Sequence, residues 1–342
     1  MNAREEALEC LRRIPDTVRP DQTYVVEPFR PTDGEGVAEL FYRTYGDTYP
    51  MDRYYIPDAI RQSWSSGKVL PVVARLPDGK VVGFASLYRS SPPFTGLMEL
   101  GLGMVHPAYR GTFILFHLLN SLNALMEDLP GLEAVFGEAV CDTIITQHAS
   151  TLFGFRECAL ELDLMPGTGA GRVACLVMFH NLRDVRRRLF VPACYAREIE
   201  AIVARLELDR ELSPARGTTE AESSLLNTET FAFAGLLRGH LFKAGEDCRE
   251  RFAREEQAAL DAGCRRFQWF LNLADPGVGI AVGLLRDRGY GLAGLVPRWF
   301  NDDALLMYKL LDPPAIQGIL LYSDTAREML RMVLAGQDVS LS

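Results

Sequence analysis

No stretch of eighteen consecutive apolar residues occurs anywhere in the 342 residues, so no membrane-spanning helix is expected. Basic charge is short: 36 Lys and Arg stand against 45 Asp and Glu, a net charge of −9, which argues against a nucleic-acid partner. The same acidity mildly favours cationic substrates such as amines. The cysteines (Cys10, Cys141, Cys158, Cys175, Cys194, Cys248 and Cys264) are scattered, never at C-x-x-C spacing, and the histidines are equally dispersed. Reduced thiols in a cytoplasm, with no metal site, is the economical expectation. The opening MNAREEALECLRRIP carries acids and lacks an apolar core, so no signal peptide is expected there.

What is present is ordinary for a globular chain, 48% hydrophobic and 24% charged, and long enough for two domains. One stretch organises it, Met98 to Glu127. Residues 98–105 are apolar or glycine except Glu99, which predicts a buried strand ending at His106-Pro107. Tyr109-Arg110-Gly111-Thr112 makes a turn. Beyond Phe113, apolar positions 114, 115, 118, 119, 122, 125 and 126 predict a helix of about four turns. A glycine at the mouth of a helix lets an anion reach the unpaired N–H groups, and Arg110 adds positive charge beside them. The pattern is a phosphate-binding design.

Around it, residues 3–14 predict an amphipathic arm and Tyr24–Arg30 a first strand. Asp33 is expected to cap a helix with apolar face Val37, Leu40, Phe41 and Tyr45. An aromatic loop follows, holding Tyr45, Tyr49, Tyr54 and Tyr55. Strands Val69–Arg75 and Val81–Tyr88 flank an Asp-Gly hairpin signal. After the central helix come a strand (Leu132–Val140), a helix (Thr146–Phe153) capped by Gly154, and strands Arg156–Leu164 and Arg172–Phe179. Arg183, Arg186, Arg187 and Arg188 are expected on a solvated helix face. The last third repeats the pattern: strand Thr230–Leu237, helix Asp247–Ala262, strand Arg266–Leu273, helix Pro276–Arg288, strands 291–297 and 304–310, and a closing helix Thr325–Leu334.

V-H-P-A-Y-R-G before an apolar helix, with Leu-Phe-Gly-Phe-Arg-Glu-Cys further on, resembles the coenzyme-A-binding segment and Gly-Phe signature of the GNAT superfamily of N-acetyltransferases. In that family's Arg/Gln-x-x-Gly-x-Gly/Ala loop, the fixed positions fall on Ala108, Gly111 and Phe113, of which Gly111 fits. The resemblance implies a mixed α/β fold with a mostly antiparallel central sheet flanked by helices over residues 24–180. A degenerate GNAT-like domain at 230–342 is expected to follow, with a helical arm at 1–23 and a helical linker at 181–229. Acetyl-CoA is the implied co-substrate. Its pantetheine would lie along Met104 and Val105, and its pyrophosphate on Arg110, Gly111, Thr112, Phe113 and Ile114.

Acyl transfer to an amine needs a base and an acid. Glu99 is the only ionisable side chain in the central strand, and burial would raise its pKa as a base requires. Glu138 on the next strand is a candidate second carboxylate. The family's acid position falls on Ser150, with His148 and Tyr45 as alternatives. Plainer readings stand beside each: ion-paired strand-end acids, a solvated helix histidine, tyrosines in a pocket wall. Phe113 is expected to turn inward against Leu100, Leu102 or Phe116, favoured by about 2 kcal/mol of apolar burial. The activity expected is N-acylation of a small-molecule or peptide amine, with a homodimer left open. A non-catalytic acyl-CoA-sensing or scaffold protein is the alternative.

Overall fold

The computed structural model describes residues 2–167 and 171–336. It forms two compact units, Met1–Ser91 with Met98–Leu132, and Pro92–Leu97 with Glu133–Ser342. This division by compactness falls inside the span 24–180.

In the first unit α1 (Ala3–Arg13) opens with a capping box: Asn2 accepts from the Glu5 amide at 2.9 Å and Glu5 accepts from the Asn2 amide at 3.0 Å. β1 (Val25–Pro28), α2 (Gly34–Tyr45), α3 (Pro57–Ser65), β2 (Val69–Arg75), β3 (Val81–Tyr88), β4 (Leu97–Val105) and α4 (Ile114–Asp128) follow. The strands pair antiparallel in the order β1-β2-β3-β4. Val37, Leu40, Phe41, Phe84 and Met104 share one core with Leu8 and Leu11 of α1. Asp33 precedes α2 as expected but does not cap it with its side chain. Its carboxylate instead takes the Arg75 guanidinium at 2.9 and 2.7 Å and the Arg30 amide at 2.6 Å. A buried arginine is a stronger claimant on that carboxylate than an exposed helix end.

The central strand is not the uninterrupted one that its apolar run predicts. Phe84 lies opposite Met104 and Ser86 opposite Gly101, so Leu102 and Gly103 face a single residue of β3. This is a bulge, and Leu102 has φ of 59°. A leucine in the left-handed region costs energy that the surrounding pairing must supply.

The second unit contains β5 (Ala134–Val140), α5 (Ile145–Leu152), β6 (Arg156–Pro166), β7 (Arg172–Asn181), β8 (Arg187–Val191), α6 (Ala196–Arg205), β9 (Arg210–Pro214), β10 (Leu225–Phe231), β11 (Leu236–Lys243), α7 (Cys248–Asp261), β12 (Arg266–Asn272), α8 (Val278–Asp287), β13 (Gly291–Val296), β14 (Ala304–Leu310) and α9 (Asp324–Gly336). Two expectations are corrected here. The arginine run is not helical: Arg183 and Arg186 lie in irregular chain and Arg187 and Arg188 open β8, a strand parallel to β9, where Arg187 pairs with Asp302 at 3.0 Å and Arg188 with Glu211 at 2.7 Å. The single strand expected at 230–237 is a hairpin, with Phe231 of β10 opposite Leu236 of β11 and Gly235 turning at φ 57°.

The main sheet of this unit runs β5-β7-β6-β13-β14-β12-β11-β10. The order β5-β7-β6 recurs as β12-β14-β13, with α5 and α8 in matching places. The two sets meet where Gly294 of β13 faces Ala159 of β6. A Cβ on Gly294 would stand 2.4 Å from the Cys158 carbonyl oxygen, and its φ is 148°. Both facts restrict the position to glycine. Gly294→Ala is therefore expected to destabilise the protein by about 2–4 kcal/mol in urea unfolding. A loss below about 0.5 kcal/mol would show that the two sets need no such close approach.

Candidate functional site

Four successive exposed residues, Arg110 to Phe113, form the turn between β4 and α4. The chain reaches it through His106, whose Nδ1 accepts from the Ala108 amide at 3.2 Å, and buried Tyr109, whose hydroxyl donates to the Arg19 carbonyl at 2.9 Å. Gly111 takes φ of 82°, with open space where a side chain would stand. Thr112 donates to the Tyr109 carbonyl at 2.7 Å and accepts a long 3.4 Å bond from the Ile114 amide. Within the described residues the Gly111 and Phe113 amides make no backbone hydrogen bond. A fixed turn, available amides, a helix N-terminus and an exposed arginine are together what a phosphate group needs.

Phe113 corrects an expectation. It is 75% exposed, and its ring centroid lies 6.4 Å from that of His117, not against Leu100, Leu102 or Phe116. Ile114, fully buried, takes the inward position because the helix begins there; Phe113 is the residue before it, with ψ of 7°. Met104 is buried opposite Phe84, and Val105 lies opposite Gly83.

Glu99 lies on β4 opposite Tyr88 of β3, 9% exposed, and accepts a short hydrogen bond from the Tyr88 hydroxyl. Beside it lies the aromatic loop. Tyr54 stacks on Phe41 with centroids 4.5 Å apart, and Tyr49 meets Tyr54 edge-on at 5.7 Å. Burial pushes both phenols' pKa values up, and the negative charge of Glu99 raises them further. The buried Tyr54 hydroxyl has no hydrogen-bond partner among the described residues. Tyr45 is exposed at the edge of this cluster, its ring 4.9 Å from Tyr49. Tyr88 and Tyr54 were not singled out from the sequence as catalytic candidates. The pairing of Tyr88 with Glu99 depends on the β3–β4 register, which no short turn fixes, whereas Tyr54 was visible only as one ring of a cluster.

The remaining candidates lie in the second unit. Glu138 on β5 is 3.6 Å from the Arg238 guanidinium; burial raises its pKa, against the opposing pull of that charge. His148 is exposed and stacks on Tyr322 at 4.4 Å. Ser150 uses its carbonyl to accept the Phe153 and Phe155 amides, closing α5. Burial raises the Cys141 thiol to about 12, so it is a poor nucleophile.

The loop after β11 is the second unit's counterpart of the turn before α4. Its amides are already occupied: Ala244 donates to Asp275 at 2.7 Å, Gly245 to the Ser224 hydroxyl at 2.9 Å and Glu246 to the Ala221 carbonyl at 3.0 Å. A carboxylate of the chain itself stands where an anion would go.

Sequence reasoning also missed a buried polar group on one face of the second unit. Arg238 donates to Gln268 at 2.8 Å, and Gln268 donates to Glu161. His240, two residues along β11, bonds Asn227 through Nδ1 at 2.8 Å. Burial, then the Arg238 charge, lowers the His240 pKa from 6.5 to about 4. No signal in the sequence marks this group, because its members come from strands far apart in the chain.

No sequence-family model matches this chain, and no curated protein matches it. Solved structures do. The chain is similar to a putative acetyltransferase from Salmonella typhimurium with its cofactor acetyl-CoA (19% identity, TM-score 0.41, 48% of this chain and 96% of that one). It is also similar to a GNAT superfamily phosphinothricin acetyltransferase from Sinorhizobium meliloti in complex with AcCoA (20% identity, TM-score 0.40, 47% and 90%). A third is the ribosomal-protein-S5-alanine acetyltransferase from Vibrio fischeri (14% identity, TM-score 0.40, 48% and 97%). Each likeness takes in about half of this chain. Among the described residues no helix is long and apolar enough to cross a membrane, and no group of three or more His, Cys, Asp and Glu is placed to hold a metal.

Two measurements follow. Phe113→Ala is expected to change stability by less than about 0.5 kcal/mol, as for an exposed residue; a loss of 2 kcal/mol or more, typical of a core ring, would put the ring back inside. His240 binds its proton less readily folded than unfolded, so the unfolded chain takes up more protons between about pH 6.5 and 4 and stability falls as pH drops through that range. The loss is expected to reach up to about 3 kcal/mol, and His240→Gln should flatten it. An unchanged slope in the variant would assign the acid sensitivity to another group.

Proposed function

We propose that the protein is an acyl-CoA-dependent N-acyltransferase that acetylates a primary amine. The observation that carries this reading is the exposed turn Arg110–Phe113 at the N-terminus of α4, with Gly111 at φ 82° and its amide available. Arg110 and the amides of Gly111, Phe113 and Ile114 would hold the pyrophosphate; Met104 and Val105 would lie along the pantetheine. The bulge at Leu102–Gly103 supports the reading, since it interrupts the regular pairing of the strand just before that turn. The acyl-CoA-binding part is assigned to residues 24–180 and a degenerate copy to 230–342, supported by the recurrence of β5-β7-β6 as β12-β14-β13 and by the occupied amides after β11.

Glu99 is assigned as the base and Tyr88 as its hydrogen-bond partner. Glu99 takes a proton from the ammonium, and the freed lone pair forms the C–N bond as the carbon–sulfur bond of the thioester breaks. The nitrogen, positively charged once the C–N bond has formed, sheds its surplus proton to the leaving thiolate, giving a neutral amide and a thiol. Tyr88 holds the carboxylate on β4 in one orientation, which lowers the entropy cost of that transfer.

A second reading, an acyl-CoA-sensing or scaffold protein without turnover, is favoured by Phe113 standing outward where a phosphate would arrive. One experiment separates them. Acetyl-CoA is expected to bind the wild type with micromolar to sub-millimolar affinity by calorimetry, and Arg110→Glu to weaken it about tenfold or more. Glu99→Gln should leave that affinity unchanged and cut kcat about a hundredfold or more. Binding that appears only in Phe113→Gly would favour the second reading, and binding absent from both proteins would remove the acyl-CoA site altogether.

A further inference from the structure

The exposed turn before α4 is entered through a histidine whose two ring nitrogens are placed unequally. Pro107 has no N–H, so the first amide after His106 that needs an acceptor is that of Ala108. His106 Nδ1 supplies that acceptor at 3.2 Å, while the His106 carbonyl accepts the Tyr109 amide at 2.8 Å. A backbone amide only donates, so Nδ1 is bare and the proton of the neutral ring sits on Nε2. Nε2 lies 3.5 Å from the Asp16 carboxylate and has no hydrogen-bond partner among the described residues.

The His106 ring is 3% exposed and lines a cavity of about 550 Å³ beside α2 and the turn between β2 and β3. Most charges around that cavity are matched: Asp33 with Arg75 at 2.7 Å, Asp78 with Lys80 at 2.6 Å, Arg30 with Glu27 at 2.7 Å, and Glu35 with Arg61. The charges that act on the ring are Asp16 in the segment after α1, Glu39 and Arg43 of α2, and Arg110 beyond the turn. Burial lowers the His106 pKa and Asp16 opposes it, so the ring is neutral at neutral pH. A second proton has only Nδ1 to go to, where it would face the Ala108 amide, donor against donor. That hydrogen bond is then lost, the charged ring is drawn to the Asp16 carboxylate, and the cavity gives it room to turn.

We infer that His106 is a positioning residue for the turn Arg110–Phe113: its neutral ring fastens the entry to that turn, and protonation at Nδ1 unfastens it, so acyl-CoA binding weakens in mild acid. The fastening stands on the contacts above; its effect on acyl-CoA rests on the acyl-CoA reading of the turn.

The test titrates acetyl-CoA into the full chain by calorimetry at about pH 7.5 and about pH 5, for the wild type and for His106→Asn. Asparagine offers an oxygen acceptor to the amide two residues on and does not titrate. The two proteins are expected to bind within about threefold of each other at the higher pH, and the wild type to lose at least about fivefold more affinity at the lower one. Protonation of the ligand's own phosphates acts on both proteins alike and cancels. Asp16→Asn, in which a half-exposed carboxylate is lost, should move the wild-type transition to lower pH. Heteronuclear NMR of the ligand-free full chain should show the Ala108 amide shifting with the same midpoint as the His106 ring, below pH 6.5. The inference is overturned if the Ala108 amide ignores the protonation of the ring, or if acetyl-CoA affinity falls equally in the wild type and a folded His106→Asn. Should His106→Asn fail to fold, an unmoved transition in Asp16→Asn overturns it. Acetyl-CoA that binds at neither pH would sink the acyl-CoA reading, while the Ala108 amide would still decide the fastening.

Discussion

The second unit depends on one guanidinium. Arg238 sits on β11 with Gln268, Glu161 and Glu138 around it, and rings of Phe231, Phe270 and Trp299 within 6 Å of its charge. A charge buried this deeply is tolerated only where opposite charge and hydrogen bonds compensate for the lost water. The two carboxylates come from β5 and β6, and no neighbouring strand of β11 supplies either. The roll of the sheet brings both carboxylates to the arginine, which strand neighbours alone would not. Such contacts span about a hundred residues of chain, so their loop-closure entropy makes them late events in folding.

The same accounting of polar groups separates the two helix-entry turns. Before α4 the Gly111 and Phe113 amides find no backbone acceptor, and the side chains alongside are Arg110 and Thr112. Before α7 the amides of residues 244–246 are taken by Asp275, Ser224 and the Ala221 carbonyl. Backbone N–H groups inside a protein are almost always paired, and only a turn open to solvent escapes that rule. One turn thus leaves two amides open, and the other carries its own carboxylate. Mutating Asp275 would not convert the second into the first, because a buried amide would lose its acceptor.

Local chemistry was legible in the sequence where it decides structure. Strands at 69–75 and 81–88 fall where the Asp-Gly turn put them, and helices α1, α4, α7 and α8 lie within about two residues of their expected spans, an ordinary boundary error. Three features were not legible, each for a physical reason. Asp33 stands where a cap belongs, but a buried arginine forty-two residues away competes for it. The arginine run at 183–188 reads as a helix face by charge alone, whereas pairing with β9 makes its last two residues, Arg187 and Arg188, the start of a strand. Phe113 was assigned inward from the area of its ring, although the direction of a side chain depends on where the helix starts. With the helix beginning at Ile114, the inward direction belongs to that residue.

The two carboxylates proposed from the sequence as one acid–base pair turn out to have different partners, and the partner decides the chemistry. Glu99 is met by a phenol, Tyr88, which donates a hydrogen bond without bringing a formal charge. Glu138 faces Arg238, and giving it a proton would leave the guanidinium with less of its counter-charge in a place remote from water. Burial raises the pKa of Glu138 and the Arg238 charge opposes that rise. The two carboxylates thus differ in partner, a phenol for Glu99 and a guanidinium for Glu138, a difference that residue type alone does not show.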